Sequence, residues 1–236
     1  MDRVDAKSES PGEPAEPRRA RGRPRKTADE RDDGNRRREL VFAAAELFRR
    51  KGFDATSTRD IAAAVGMRSG SPFYHFKSKA ALLYAVMDEG MRFAIERQSG
   101  ALQRSRQAGP DPRRQLRELI RNHFEVLLGP QSDFVPVMLY EWRSLNSRQR
   151  SGIAKLQKEY ELPWMPLLQT LKDAGRLHAD VHLVRLLIFG ALNWSVQWFD
   201  AKKGVSLDEL TETAMALFLG NCGTDRSRMP ASSVTN

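Results

Sequence analysis

The stretch Ser57–Leu82, STRDIAAAVGMRSGSPFYHFKSKAAL, sets two short helical phrases side by side with Gly66 between them. Its first half is apolar and alanine-rich. Its second half holds Arg68, Ser69, Ser71, Tyr74 and His75 within eight residues. A segment built only for a core would not carry so many polar and aromatic groups, whereas a surface that touches another molecule would. Ser57 is placed to cap a helix by accepting from the Asp60 N–H, and the Asp60 carboxylate suits the first turn. Asp60 stands where glutamate or glutamine would complete a capping box, so it reads as an approximation to one. Ile61, Ala62 and Val65 face inward, Gly66 ends the helix and Met67 plugs the turn. The next helix is expected to begin near Ser69, with Pro72 tolerated in its first turn. Phe73 and Phe76 are expected to face inward.

Upstream, Leu40, Val41, Ala44, Leu47 and Phe48 form one apolar stripe at helical spacing. They predict a helix over residues 36–51, ended by Gly52, with Phe53 folding back onto the core. Downstream, Leu82, Leu83, Val86 and Phe93 mark another helix. Two short helices joined by a glycine turn, behind a longer packing helix, make a helix-turn-helix at about 57–77. Its third helix is then the one that enters a major groove. The hydroxyls and His75 on it can bond phosphates and base edges, and Lys79 is expected to hold a phosphate.

Charge points the same way. The chain has 236 residues and a formal net charge of +9. Residues 1–79 hold 19 Lys+Arg against 13 Asp+Glu, so +6 of the excess lies in the first third. A polyanion near the N-terminus is the partner this favours: nucleic acid first, an anionic membrane surface second, with general solubility as the plain alternative. Residues 1–33 are rich in Pro, Glu, Asp, Arg and Ser and are expected to be disordered. Within them RRARGRPRK (18–26) holds six cations and no acid. It resembles the core of an AT-hook, with Arg21, Arg23 and Arg25 suited to a narrow minor groove. Cys222 is the single cysteine, which excludes an internal disulfide and fits a reducing, cytoplasmic setting. No secretory signal is expected, and LVRLLIFGALNWSVQWF (183–199) is short for a membrane span and carries Arg185, Asn193 and Gln197.

The pattern TRDIAAAVGM, then GSPFYHFKSK, then ALL resembles the DNA-binding domain of the tetracycline-repressor (TetR) family of bacterial transcriptional regulators, over residues 36–90. The resemblance implies that Ser57, Thr58 and Arg59 meet backbone phosphate, that Arg68, Ser69, Ser71, Tyr74 and His75 face DNA, and that Lys79 fixes a phosphate. The chain departs from the family at Pro72, where leucine is usual, and at Phe73, where a tyrosine hydroxyl would meet phosphate. Phe73 keeps the place without that hydrogen bond, a loss of about 1 kcal/mol.

The fold class expected is all-α: an N-terminal three-helix helix-turn-helix DNA-binding domain (34–95), then a helical ligand-binding and dimerisation domain (96–221), then a disordered tail (222–236). Helices are expected near 81–105, 112–128, 133–145, 148–173, 183–201 and 207–220, with Pro163 and Pro166 kinking or restarting one of them. Trp194 and Trp198, with Asn193 and Gln197 beside them, read as a pocket wall, a dimer face or packed core. Small Gly190 and Ala191 favour a close helix approach. By resemblance, 183–201 and 207–220 form the dimer interface, and the operator is a near-palindrome in double-stranded DNA. Candidates for the wall of an apolar effector pocket are Phe93, Phe134, Met138, Tyr140, Trp142, Trp164, Asn193 and Trp194. MLYEWRSL (138–145) and NWSVQWF (193–199) also resemble a branch of the family that senses fatty acyl or steroid-derived acyl-CoA ligands.

No cofactor is expected and no metal: His178, Asp180 and His182 have the chemistry of ligands but no further donors near in sequence. No nucleophile–base pair or phosphate loop stands out, so the chain reads as a regulator and not an enzyme. The alternative is a less specific architectural DNA-binding protein that uses the Arg-rich arm.

Overall fold

The structure is a computed structural model that describes residues 28–67, 72–129 and 132–220, with side chains described from Gly34 and, after the gap, from Tyr74. Among these residues there are ten α-helices and no strand: α1 (Ala28–Lys51), α2 (Thr58–Ala64), α3 (Pro72–His75), α4 (Lys79–Gln107), α5 (Pro112–Leu128), α6 (Phe134–Glu141), α7 (Ser147–Glu161), α8 (Trp164–Asp173), α9 (Val181–Trp194) and α10 (Leu207–Leu219). Short 3₁₀ turns follow α6 and α9 and precede α10.

Several boundaries differ from the sequence reading. The first helix begins at Ala28, eight residues before the expected Arg36. A polar extension has no apolar stripe, and periodicity therefore misses it. The helix expected from Ser69 is the four-residue α3. Over 148–173 the expected restart at the prolines occurs, giving two helices. Pro163 separates them, and Pro166 is tolerated in the first turn of α8 because N–H groups there need no intrahelical partner. The helix expected over 183–201 ends at Trp194.

The cap of α2 is more complete than expected. Ser57 Oγ accepts from the Asp60 N–H at 3.1 Å, and Asp60 Oδ2 accepts from the Ser57 N–H at 2.8 Å. Aspartate reaches because the Ser57 backbone is extended, so both halves of the capping box form. The same contact holds the Asp60 carboxyl below its ordinary range. At the other end Gly66 takes φ +67°, its N–H bonds the Ala63 carbonyl, and the Met67 N–H bonds the Ala62 carbonyl. This is a Schellman closure, which needs a residue at ease in the left-handed region.

Two apolar cores lie along the molecule. The first joins Leu40, Ala44 and Phe48 of α1 to Ile61, Phe76, Leu82, Val86, Val137 and Ile153. The second joins Leu116, Leu119 and Ile120 of α5 to Trp164, Leu168, Ile188 and Met215. Leu128 and Phe189 pack against both. The long α4 touches α1, α5, α6 and α7 and carries the first core into the C-terminal half. No helix among the described residues is long and apolar enough to cross a membrane.

Candidate functional site

The helix-turn-helix presents a partly committed surface. Tyr74 is 82% exposed, which is unusual for a tyrosine and leaves its ring and hydroxyl outward. His75 is half-buried, with its ring edge-on to Tyr74 at 5.2 Å. Arg59 is exposed and Thr58 half-buried at the start of α2. Ser57 is exposed, but its hydroxyl donates to Asp60 Oδ2 at 2.8 Å, so the cap already occupies it. Arg68, Ser69 and Ser71 lie outside the described residues, as do Arg21, Arg23, Arg25 and Cys222; Phe73 is helical, with its side chain outside them.

Lys79 corrects the reading most clearly. Its ammonium donates to the carbonyls of Phe53 at 2.7 Å, Thr56 at 2.9 Å and Asp54 at 3.4 Å, and sits 4.2 Å from the Phe53 ring centroid. An ammonium has three N–H groups, and all three are used. Lys79 therefore ties the α1–α2 turn to α4, with its ammonium engaged inside the chain. Lys77, two residues earlier, is exposed beside α3. Ser78 between them caps α4, accepting from the Ala81 N–H at 3.1 Å.

In the C-terminal half a small cavity of about 50 Å³ lies among α4, α5, α6, α7 and α9. Met91, Ala94, Val126, Val135, Met138 and Phe189 give it apolar walls, and His123, Gln157, Tyr160, Glu161 and Asn193 are its polar groups. His123 Nδ1 lies 2.9 Å from the Tyr160 hydroxyl, and Nε2 lies 3.1 Å from Asn193 Oδ1. The Tyr160 carbonyl accepts from Gln98 Nε2 at 2.7 Å, and Gln98 Oε1 accepts from the Trp164 indole at 2.8 Å. A buried polar relay thus runs through α4, α5, α7, α8 and α9. Burial lowers His123 to about 4, with the Asn193 hydrogen bond pulling the other way, so the imidazole is neutral. Burial also pushes the Tyr160 phenol up, and the Asn122 amide opposes this. Glu161 is ion-paired with Arg185.

Of the expected pocket residues, the structure places Met138 and Asn193 in this wall. Trp164 is fully buried behind it, 4.8 Å from Phe189 by ring centroids. Phe134 and Phe93 line a separate recess with Arg38, Phe42 and Glu89. Trp142 packs against the first core. Tyr140 and Trp194 are corrections: both are exposed, as is Trp198. Trp194 and Trp198 are both more than half exposed, so the reading of them as packed core fails as well. Asp180 caps α9, accepting from the His182 and Leu183 N–H groups at 3.0 Å each. No cluster fit to hold a metal occurs among the described residues. Sequence reasoning missed His123 and Tyr160 as wall residues. The signal was His123 on the same apolar face as Leu116, Leu119, Ile120 and Leu127.

The helix α6 joins the two sites. Val135 and Met138 face the cavity. At its start Asp133 Oδ1 and Ser132 Oγ each accept from Arg49 of α1 at 2.9 Å. At its end Glu141 Oε1 accepts from the Phe53 N–H, in the α1–α2 turn, at 2.8 Å. Gly90 of α4 permits the seat of Phe134, since a Cβ there would lie 2.5 Å from the Phe134 Cβ.

Comparison with known proteins follows this geometry. Residues 40–86 match the family of bacterial regulatory proteins, tetR family, and residues 109–222 match the tetracyclin repressor-like C-terminal domain. The HTH-type transcriptional repressor KstR2 of Rhodococcus jostii (strain RHA1) is 29% identical over 187 residues, 78% of this chain and 89% of the relative. The solved structure of the ketosteroid transcriptional regulator KstR2 of Mycobacterium tuberculosis aligns with TM-score 0.67 and 25% identity over 78% of this chain and 93% of that one. A structure described as the superantigen PfiT aligns with TM-score 0.66 and 37% identity over 78% and 96%. The chain belongs to the TetR family of DNA-binding transcriptional regulators.

Proposed function

We propose that this chain is a homodimeric, cytoplasmic repressor that holds a near-palindromic operator and lets go when a small apolar ligand fills the cavity. The observation that carries the reading is α6. It lines the cavity through Val135 and Met138 and is bonded to the DNA-reading head at both ends. A ligand that shifts α6 alters the α1–α2 turn that carries the Ser57 cap, which couples two sites through one element. The acyl group of a coenzyme A thioester meets the description of such a ligand, and the KstR2 relatives are repressors in the same family.

The dimer face proposed is the outer side of α9 with α10. Leu183, Leu186, Leu187, Trp194 and Leu217 are exposed together. A Cβ built on Gly190, on the same helix, would meet nothing within 4 Å. Apolar patches of this kind mark interaction surfaces, and a second copy buries the same face by two-fold symmetry. The two α3 helices then reach successive major grooves.

The DNA contacts proposed are Thr58, Arg59, Arg68, Ser69, Ser71, Tyr74, His75 and Lys77, with Arg21, Arg23 and Arg25 of the arm in the minor groove. Tyr74→Ala is expected to reduce operator affinity by about 1–3 kcal/mol and to leave binding to unrelated DNA unchanged; competition titration measures both. Deleting residues 1–27 is expected to weaken operator binding without changing the half-site sequence, which footprinting of the truncated protein checks.

The test of the whole reading is a binding titration on DNA flanking the protein's own gene, with excess unrelated competitor. Binding that survives competitor and protects a near-palindrome supports a specific repressor. Binding that competitor abolishes on every promoter tried sinks it in favour of an architectural protein holding DNA by charge.

A further inference from the structure

The cavity's polar wall fixes what kind of ligand it takes. With the cavity as the effector site, as read above, its polar groups bear on the polarity of the group recognised there.

Asn193 Oδ1 lies 3.1 Å from His123 Nε2, and a carbonyl oxygen can only accept. Nε2 therefore carries the hydrogen. A neutral imidazole has one N–H, so Nδ1 is bare and the Tyr160 hydroxyl 2.9 Å away donates to it. Each atom of the relay is then assigned, and Asn193 Oδ1 is occupied. What remains of that side chain is its NH₂ group, which has no hydrogen bond to the described residues. Asn193 is half-buried in the wall of the cavity. That NH₂ group is the donor the wall offers to a ligand that brings an acceptor.

Charge narrows the class further. No lysine or arginine lines the cavity. His123 is neutral, and the one carboxylate, Glu161, is paired with Arg185 outside the lining. An anionic group placed inside meets a carboxylate and no compensating cation.

We infer that the cavity takes a neutral, apolar molecule bearing a carbonyl or equivalent acceptor, and that the Asn193 NH₂ group, held by the Tyr160–His123 pair, is the donor that selects it. Asn193 is thus a specificity-determining residue. Tyr160 and His123 are positioning residues that keep its amide from rotating.

Acetophenone, ethylbenzene and benzoate have nearly one shape and differ in the group tested, so they serve as probes. Binding of each to the full-length protein is measured by ligand-observed NMR titration, for the wild type, Asn193→Leu and Asn193→Ala. The wild type is expected to bind acetophenone roughly fivefold more tightly than ethylbenzene, the ratio one neutral hydrogen bond gives, and benzoate more weakly than either. Both variants are expected to bind the two neutral probes equally. Retained ethylbenzene binding shows that the cavity of a variant is intact; should both variants lose it, the wild-type ratios decide alone. Equal wild-type binding of acetophenone and ethylbenzene, a preference for benzoate, or a ketone preference that survives in a variant with an intact cavity overturns the inference and leaves the effector-site reading standing. No binding of any probe to the wild type counts against both. A ¹⁵N spectrum provides a ligand-free check: the Nε2–H form of His123 is expected, and the Nδ1–H form would reverse the polarity of the relay and overturn the assignment.

Discussion

Replacing Trp164 by alanine is expected to lower the stability of the protein by on the order of 4 kcal/mol, the range for deleting a buried aromatic side chain. Trp164 has no exposed surface, packs against Phe189 and sits edge-on to His123. Its indole donates to Gln98 Oε1, which is itself buried, so truncation leaves both a cavity and an unpaired acceptor. Trp164→Phe keeps most of the volume and removes only the donor, so its expected cost is on the order of 1–2 kcal/mol. Urea unfolding at one protomer concentration measures both, the fixed concentration being needed because association adds to apparent stability. Equal costs for the two variants would show that the hydrogen bond, and not the packing, dominates. Since whole domains are stable by about 5–15 kcal/mol, the alanine variant is expected to lie near the edge of folding.

Acid is expected to weaken the fold earlier than carboxylates alone would make it do. Burial holds His123 at about 4 in the folded protein, against an ordinary value of 6.5. A histidine held low stays neutral in the native state while the unfolded chain takes up its proton. Stability therefore falls as pH drops from 6.5 to about 4 and levels off below that, as far as this group is concerned. At 1.36 kcal/mol per pH unit the window is worth on the order of 3 kcal/mol. The carboxylates of Asp60, Asp180, Asp208 and Glu209 are held below their usual values by caps and ion pairs. Their contribution is present above the ordinary carboxylate range and is lost only below it. The two effects thus separate along the pH axis. His123→Gln, which keeps a hydrogen-bonding side chain without a titrating one, is expected to flatten the 6.5–4 limb in urea midpoints and to leave the lower limb in place. An unchanged upper limb in that variant would assign it to other groups.

The head was legible because its signals are local. Ser57, Asp60, Gly66 and the α1 stripe each act within a few residues, and each sits where the sequence puts it. The length of α3 was not legible, since Pro72 permits a helix start without naming the residue at which the chain commits to it. The inward turn of Lys79 depends on three carbonyls more than twenty residues away, which no spacing reveals. In the C-terminal half, periodicity told which faces are apolar but not what covers them. Trp164 and Trp194 both lie on apolar stretches, yet one is in the core and the other faces outward. A second copy of the chain and a packed core ask for the same side chains. Pocket residues were sought among aromatics, whereas the cavity is defined by polar groups set into apolar faces, His123 and Asn193 above all.

Lys79 also bears on how ionic strength acts on this protein. A cation that spends its N–H groups on its own backbone displaces no condensed counterion when the head meets DNA. Each phosphate neutralised on duplex DNA adds about 0.9 to the slope of log affinity against log salt. Two inward lysines in a dimer thus remove about 1.8 from the slope that two outward ones would give. The salt dependence of the folded heads then rests on Arg59, Arg68 and Lys77. The six cations of residues 18–26 add to that dependence, so that deleting the arm is expected to make the slope of log affinity against log salt shallower.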